Sequence, residues 1–319
     1  MKDKYYALIF TGREDPIWPF LCEICSKEEK ERLIHFQTDN PRSSQCWYNP
    51  YSNEVNFRIE NQVICAQEVK SIWWRRIVPP DLSHFSQELQ EYCIKEYQAF
   101  LEGLEYLLPH AVWVSRPSAI ERARNKAFQL KLAKEIGFQT VDTVFTNSPD
   151  IARKFARKLP TVYKSIKSPR VPVYPDRHST VFTTLLTESH YQEMDGLLSC
   201  PGILQGFVKK AADIRVTVFG SKAFSVLIES QQEETSQVDF RVGARHVPHL
   251  VHNLPKKEER LCIELTARLG LMFSAIDLAL MEDGTYVFFE INPNGQWGWL
   301  EEKTGLPMRR ALLNLLLHE

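Results

Sequence analysis

The sequence predicts a mixed α/β and α+β protein that begins with a small open α/β domain. Three observations predict it. Strand-like apolar runs alternate with helical stretches through roughly the first 115 residues, the pattern of an open sheet with helices on its faces. Arg116-Pro117-Ser118 then marks a boundary to a second part of strands and helices. Near the C-terminus two apolar runs meet at Asp283-Gly284, the strongest short hairpin signal a sequence carries.

In the first part, residues 5–11 form an apolar run stopped by Gly12 and read as a strand. Further strands are expected over 32–37, 55–59 and 63–66, with Asn40-Pro41 and Asn49-Pro50 as loops between them. Residues 71–78, SIWWRRIV, read as a strand closed by Pro79-Pro80. Alternation places one Trp and one Arg of Trp73, Trp74, Arg75 and Arg76 on each face, a packed strand with paired arginines rather than a direct substrate contact. Residues 83–108 are helical and end at Pro109, and 111–116 form another strand.

Ser118 and Glu121 have capping-box spacing, so a helix carrying Arg122, Arg124 and Lys126 is expected to run to a stop at Gly137. A strand near 141–145, a helix over 148–158 and a strand over 161–166 follow. Lys164 lies inside that strand and needs an anionic partner, phosphate or carboxylate, because an unpaired ammonium is expensive to bury. Residues 167–178, with three prolines, read as a loop, and strands are expected over 180–185 and 202–208 around a short helix at Ser189. Residues 213–220 and 222–230 form a hairpin turning at Gly220-Ser221. A polar connection over 231–237 leads to Asp239-Phe240-Arg241. A helix over 255–269 ends at Gly270, and an amphipathic helix over 306–317 closes the core.

The last hairpin carries the chemistry. With Asp283-Gly284 as the loop, Glu282 pairs with Thr285 and Asp277 falls opposite Glu290. Alternation then puts Asn292 on the face of Glu290, and Ile276, Leu278, Leu280, Val287, Phe289 and Ile291 on an apolar core face. Opposed carboxylates destabilise a strand pair by about 0.2–1 kcal/mol. Such a pair either shares a proton or holds a cation, and Asp, Glu and Asn oxygens suit Mg²⁺. The plain alternative, a solvated charged face, fits poorly beside Ala275, Ala279, Phe288 and Asn-Pro-Asn-Gly.

Length and charge set the frame. The chain has 319 residues, about two domains or three small ones. A net charge of −1 predicts no broad nucleic-acid or membrane preference. No apolar run approaches membrane-spanning length, and the polar N-terminus does not read as a signal peptide. Seven cysteines without repeated spacing fit a cytoplasmic protein with reduced thiols, and the lone Cys22/Cys25 pair does not read as a metal or redox site.

The order of these parts, Lys126, Lys164, GILQGFV, ADIRVTVFG, AIDLAL and FFEINPNG, resembles the ATP-grasp family. The WWRR strand, Asp239-Phe240-Arg241, and EINPNGQW followed by TGLP are similar to the ribosomal-peptide maturases of the MvdD/MdnC type, the microviridin-type graspetide synthetases. The resemblance implies an ATP-grasp fold with a pre-ATP-grasp domain over 1–116, a central subdomain over 117–203 and a C-terminal subdomain over 204–319. It implies ATP and Mg²⁺, and a precursor peptide, leader plus core, cyclised through Asp/Glu acyl-phosphates onto Ser/Thr (ω-ester) or Lys (ω-amide); a homodimer would be unsurprising. Carried over, Asp277, Glu290 and Asn292 hold Mg²⁺, while Lys126 and Lys164 meet the phosphates. Gln205, Phe207 and Val208 line the adenine pocket, and Arg215, with Arg241 nearby, stabilises the phosphoryl groups and the acyl-phosphate. Asp213 joins the nucleotide site and is a candidate base, with Asp239 behind it; the hairpin over 213–230 docks the leader. Two rivals share these residues: a RimK-like ligase on a small substrate, and a nucleotide-binding protein without turnover.

Overall fold

YALIFT shows no alternation because both faces of its strand are covered. In the computed structural model, which describes residues 5–167, 170–173, 177–233, 236–239, 241 and 247–318 (170–173 and 177–178 by backbone alone), Tyr6–Thr11 is buried at every position. It is an inner strand of a four-stranded sheet in the order Leu33–Gln37, Tyr6–Thr11, Val69–Arg76, Val112–Val114, parallel throughout. One face packs on Leu101 and Leu104 of the helix Gln87–Leu107. The other face, with Ala7, Ile9, Trp73 and Val114, packs on the C-terminal helix Met308–Leu317 through Leu312 and Leu316. Ser71 Oγ donates to Leu316 O at 2.6 Å and Arg32 Nη2 to Leu317 O at 2.8 Å. The chain's end is therefore part of the N-terminal domain's core. A three-stranded antiparallel sheet, Ser44–Asn49, Glu54–Ile59 and Gln62–Cys65, completes this domain.

Two further sheets hold the rest. A four-stranded antiparallel sheet has the order Thr184–Leu185, Thr161–Lys164, Gly202–Gly206, Thr143–Thr146. A six-stranded sheet has the order His249–His252, Lys222–Ile228, Ala212–Phe219, Phe273–Leu280, Tyr286–Asn292, Gln139–Thr140. The expected subdomain boundary at 203/204 falls inside Gly202–Gly206, which is paired on both sides within the four-stranded sheet. Gln139–Thr140, assigned from sequence to the central subdomain, instead extends the six-stranded sheet in parallel with Tyr286–Asn292.

Several local expectations are corrected. Ser118 is no cap: the helix Pro117–Ala123 starts at Pro117, and the Ser118 N–H is taken by the Glu105 carboxylate at 2.9 Å. The expected continuous helix breaks at Arg124-Asn125, because the Asn125 side chain accepts from Phe128 N and starts a new helix, Lys126–Glu135. Lys126 thus sits in a first helical turn. The proline-rich loop contains two paired strands, Arg170–Val173 and Arg177–Thr180. The hairpin turning at Gly220-Ser221 is present, with Phe219 opposite Lys222. Its first strand, Ala212–Phe219, is buried at every position between two partner strands, while Lys222–Ile228 is buried only in part. Phe240 lies outside the described residues.

The last hairpin aligns Asp277 with Glu290 by a different route from the expected one. Asp283 Oδ1 accepts from both the N–H and the hydroxyl of Thr285, Gly284 takes φ +84°, and Met281 N donates to Thr285 O. The loop is thereby one residue longer than a two-residue turn. A bulge restores the register: Asp277 faces Glu290 but Leu278 faces Phe288, leaving Phe289 as the extra residue. The faces of the two phenylalanines are therefore the reverse of strict alternation. Phe288 is 0% exposed and packs 5.3 Å from Phe138, whereas Phe289 lines the cleft described below.

The bulge makes a paired prediction. Phe288→Ala should lose about 3–5 kcal/mol in chemical denaturation, as a core aromatic does. Phe289→Ala should lose much less stability, because its ring lines a cleft rather than the core; the opposite pattern would mean an unbulged strand.

Candidate active site

The site lies where the four-stranded and six-stranded sheets face each other. Along Ala212–Phe219, Ile214, Val216 and Val218 enter the core, so Asp213, Arg215 and Thr217 share the opposite face. Arg215 is paired in register with Asp277, and Asp277 with Glu290. From the other sheet, Thr161–Lys164 and Gly202–Gly206 contribute Lys164 and Gln205, and the start of Lys126–Glu135 contributes Lys126. One cleft is lined by Lys126, Lys164, Gln205, Phe207, Val208, Asp213, Arg241, Asp277 and Glu290. Arg215 stands behind Asp277, and Asn292 lies one step out along the strand of Glu290, exposed, its Oδ1 accepting from Asn294 N at 3.0 Å.

Charge organises the cleft. Arg215 Nη1 donates to Asp277 Oδ1 at 2.7 Å. Lys126 Nζ is 3.4 Å from Glu290 Oε2 and also donates to Ser165 O at 3.1 Å. Arg241 Nη1 is 3.9 Å from Glu290 Oε1. The two carboxylates are pushed apart in acidity. Burial raises the Asp277 carboxyl, with Glu290 adding to that and Arg215 opposing it. Burial also acts to raise Glu290, but Lys126, Arg241, Lys164 and Arg215 together outweigh it and hold Glu290 below the ordinary range. The surroundings thus hold Glu290 below and Asp277 above the ordinary carboxylate range.

Lys164 has no direct anionic partner among the described residues. Its Nζ donates to Gln205 Oε1 at 2.7 Å and lies 4.9 Å from the Phe289 ring centroid, while Gln205 Nε2 is tied to Thr143 Oγ1 at 2.9 Å. Burial lowers its pKa to about 8, helped by Lys126 and Arg241 and opposed by Glu290. Such a lysine, held on a neutral acceptor, fits an incoming phosphate.

Some functional residues escaped the sequence. Lys210 forms a buried pair with Asp213 at 2.8 Å, and Ser230 Oγ donates to the second Asp213 oxygen at 2.5 Å. The only signal for Lys210 was its position three residues before Asp213. Phe289, assigned to the core, is the floor beside both Lys164 and Lys210. Arg241 is clasped by Asp239, Nη2 to Oδ2 at 2.6 Å and Nε to Oδ1 at 2.8 Å, and Thr183 N also donates to Asp239. A Cβ at Gly206 would come 2.6 Å from Leu159 Cδ1, so a side chain there would have to displace the tip of that leucine. The Phe207 N–H is donated to Pro160 O at 2.7 Å. Cys22 and Cys25 are free, and burial pushes the Cys25 thiol up to about 11, so this pair is not an activated dithiol.

As a cation site, the pair offers hard oxygens in register, with the Asn292 amide on the same edge, which fits Mg²⁺. Among the described residues no group of three or more His, Cys, Asp or Glu is placed to hold a metal, so the donors here are the facing pair and an amide.

Residues 123–316 match the family model of the RimK-like ATP-grasp domain. The chain belongs to the RimK-like ATP-grasp family, a family of ligases. Residues 25–121 match the model of the MvdD pre-ATP-grasp domain. The structure is similar to macrocyclase MdnB from Microcystis aeruginosa MRC, 27% identical, covering 99% of this chain and 100% of that one with a TM-score of 0.77. It is also similar to a Chryseobacterium gregarium RiPP-associated ATP-grasp ligase solved with ADP and a leader and core peptide, 24% identical, covering 98% and 97%, TM-score 0.86. Human N-acetylaspartylglutamate synthase A is 26% identical over 57% of this chain and 46% of that protein, so the chain spans less than half of that curated relative.

The depressed Lys164 sets a pH dependence. In the unfolded chain this lysine stays an ammonium to the ordinary lysine pKa, and in the folded protein only to about 8. The unfolded state therefore binds more protons between these values, and the destabilisation from burying Lys164 fades as pH rises through that window. A bound triphosphate should return the proton, so nucleotide binding near pH 8.5 should take up about one proton. Calorimetry in buffers of different ionisation enthalpy reads this uptake, and Lys164→Met should remove it; a buffer-independent heat for the wild type would contradict the assignment.

Proposed function

We propose that the protein is an ATP-dependent macrocyclase acting on a ribosomal precursor peptide. The observation that carries this reading is an MvdD-type N-terminal domain joined in one chain to the cation-lined cleft around Asp277 and Glu290. The printed subjects of the similar structures, a macrocyclase and a ligase with a leader and core peptide, support it.

A carboxylate is a poor electrophile because oxide would have to leave. Phosphorylation by ATP makes an acyl-phosphate, from which phosphate leaves instead. Gln205, Phe207 and Val208 bound the adenine, and since the Phe207 N–H is committed to Pro160, the base edge falls to the backbone of Val208. Lys126 and Lys164 meet the phosphates, with Gln205 aiming Lys164. Arg215 and Arg241 stabilise charge on the transferring phosphoryl group and the acyl-phosphate, electrostatic help that is strongest in a dry, preorganised site. Asp277, Glu290 and Asn292 would hold Mg²⁺, which when bound neutralises phosphate charge. Asp213 serves the nucleotide site by fixing Lys210. Asp213 accepts from Lys210 and Ser230, and Asp239 from Arg241; Asp213 stays the candidate general base, with Asp239 behind it. A Ser, Thr or Lys side chain of the same peptide then attacks, closing an ω-ester or ω-amide ring with the advantage of proximity.

The cytoplasm is the proposed location; no helix among the described residues is long and apolar enough to cross a membrane. The partial match to human N-acetylaspartylglutamate synthase A keeps a small-substrate ligase as the second reading.

Intact mass decides between them. The peptide encoded beside the gene, incubated with the protein, ATP and Mg²⁺, should lose one water per link. ADP release with an unchanged peptide mass, together with acceptance of a free amino acid, would replace the macrocyclase with the small-substrate reading.

A further inference from the structure

Arg75 lies in the N-terminal domain, outside the residues matched to the ATP-grasp domain, yet it ends at the active-site sheet. It is 1% exposed. Its Nη1 donates to Asn294 O at 3.3 Å and Gly295 O at 3.4 Å, and its Nη2 to Gln296 Oε1 at 2.9 Å. Its paired anion, Asp15, is 3.9 Å away. A guanidinium buried mainly on neutral oxygens is not the arrangement that maximises stability, since apolar packing of the same volume does as well or better. What the planar fork provides is geometry: it holds two carbonyls and an amide at once.

The held segment leads directly to the site. Residues 294–296 follow the strand that carries Glu290 and Asn292. From their other side, Arg215 Nη2 donates to Gln296 O at 3.4 Å. Gly295 is pressed so close that an added Cβ would lie 2.6 Å from Arg215 Nη2 and 2.5 Å from the Ala275 Cβ. Arg215 in turn holds Asp277 at 2.7 Å. The path is continuous: Arg75, the backbone of 294–296, Arg215, Asp277.

We propose that Arg75 is a positioning residue for phosphoryl transfer, setting Arg215 and Asp277 through residues 294–296. The N-terminal domain thereby supplies part of the ATP-grasp site's geometry. The proposal rests on the reading of this cleft as a phosphoryl-transfer site. It predicts that loosening 294–296 from either side produces the same defect. Arg75→Lys keeps the charge but loses the fork. Gly295→Ala keeps Arg75 and displaces Arg215.

The experiment uses the full chain and three readouts: melting temperature, affinity for Mg²⁺-AMPPNP, and ADP formation with the adjacent-encoded peptide. Arg75→Lys should melt close to wild type, bind the nucleotide within about twofold, and lose at least about tenfold in kcat with KM little changed, as expected for a transition-state contact misplaced rather than removed. The Arg75→Lys/Gly295→Ala double variant should be no slower than the worse single one. A lowered melting temperature with unchanged kcat would reduce Arg75 to a tie between domains and overturn the proposal, as would multiplicative losses in the double variant. Should the wild type form no ADP with the peptide, the macrocyclase reading falls separately. The positioning claim is then decided by crystal structures of Arg75→Lys and wild type with Mg²⁺-AMPPNP: an Arg215 displaced from Gln296 and Asp277 supports it, and an unmoved Arg215 overturns it.

Discussion

Two carboxylates facing each other across neighbouring strands, Asp277 and Glu290, set the terms for the rest of the site. Left alone in a buried place they would repel, and burial would favour protonating both. Arg215 from the adjacent strand, Lys126 from a helix start and Arg241, clasped by Asp239, answer this charge. The answer is unequal, with Glu290 held ionised and Asp277 raised. The outcome is a cleft that is cationic where phosphates would lie and anionic where a metal would sit, built on a sheet whose opposite face is core.

The hairpin was legible because the facing pair survives a change of mechanism. A two-residue loop without a bulge and a longer loop with one bulge both bring Asp277 to Glu290. Only the residues between turn and bulge tell them apart, and there the sequence misleads: both Phe288 and Phe289 are apolar, so alternation cannot say which one the core takes. The Asp283–Thr285 side-chain bonds that lengthen the loop are local and polar, a kind of turn chemistry that apolar patterning does not encode. Lys164 was legible as a lysine in a strand, but its neutral partner Gln205 was not, because that pairing spans 41 positions in sequence. The break before Lys126 was missed because Asn125, inside what the spacing reads as one helix, caps a second one by accepting from Phe128 N.

The domains are less separate than their alternating patterns imply. The last helix covers the first sheet, and Arg75 reaches the loop after Asn292. Domain boundaries read from composition miss both, since each depends on contacts more than 200 residues apart in sequence. A packed, hydrogen-bonded interface of this kind gives the MvdD-type domain a physical route to the cleft.

The most direct test of the central claim is Mn²⁺ binding followed by electron paramagnetic resonance in the presence of AMPPNP. The account predicts a nucleotide-dependent bound signal in the wild type that is lost in Asp277→Asn and in Glu290→Gln while both variants stay folded. Wild-type Mn²⁺ affinity in Glu290→Gln would show that the facing carboxylates answer only the surrounding arginines and lysines and are not a cation site.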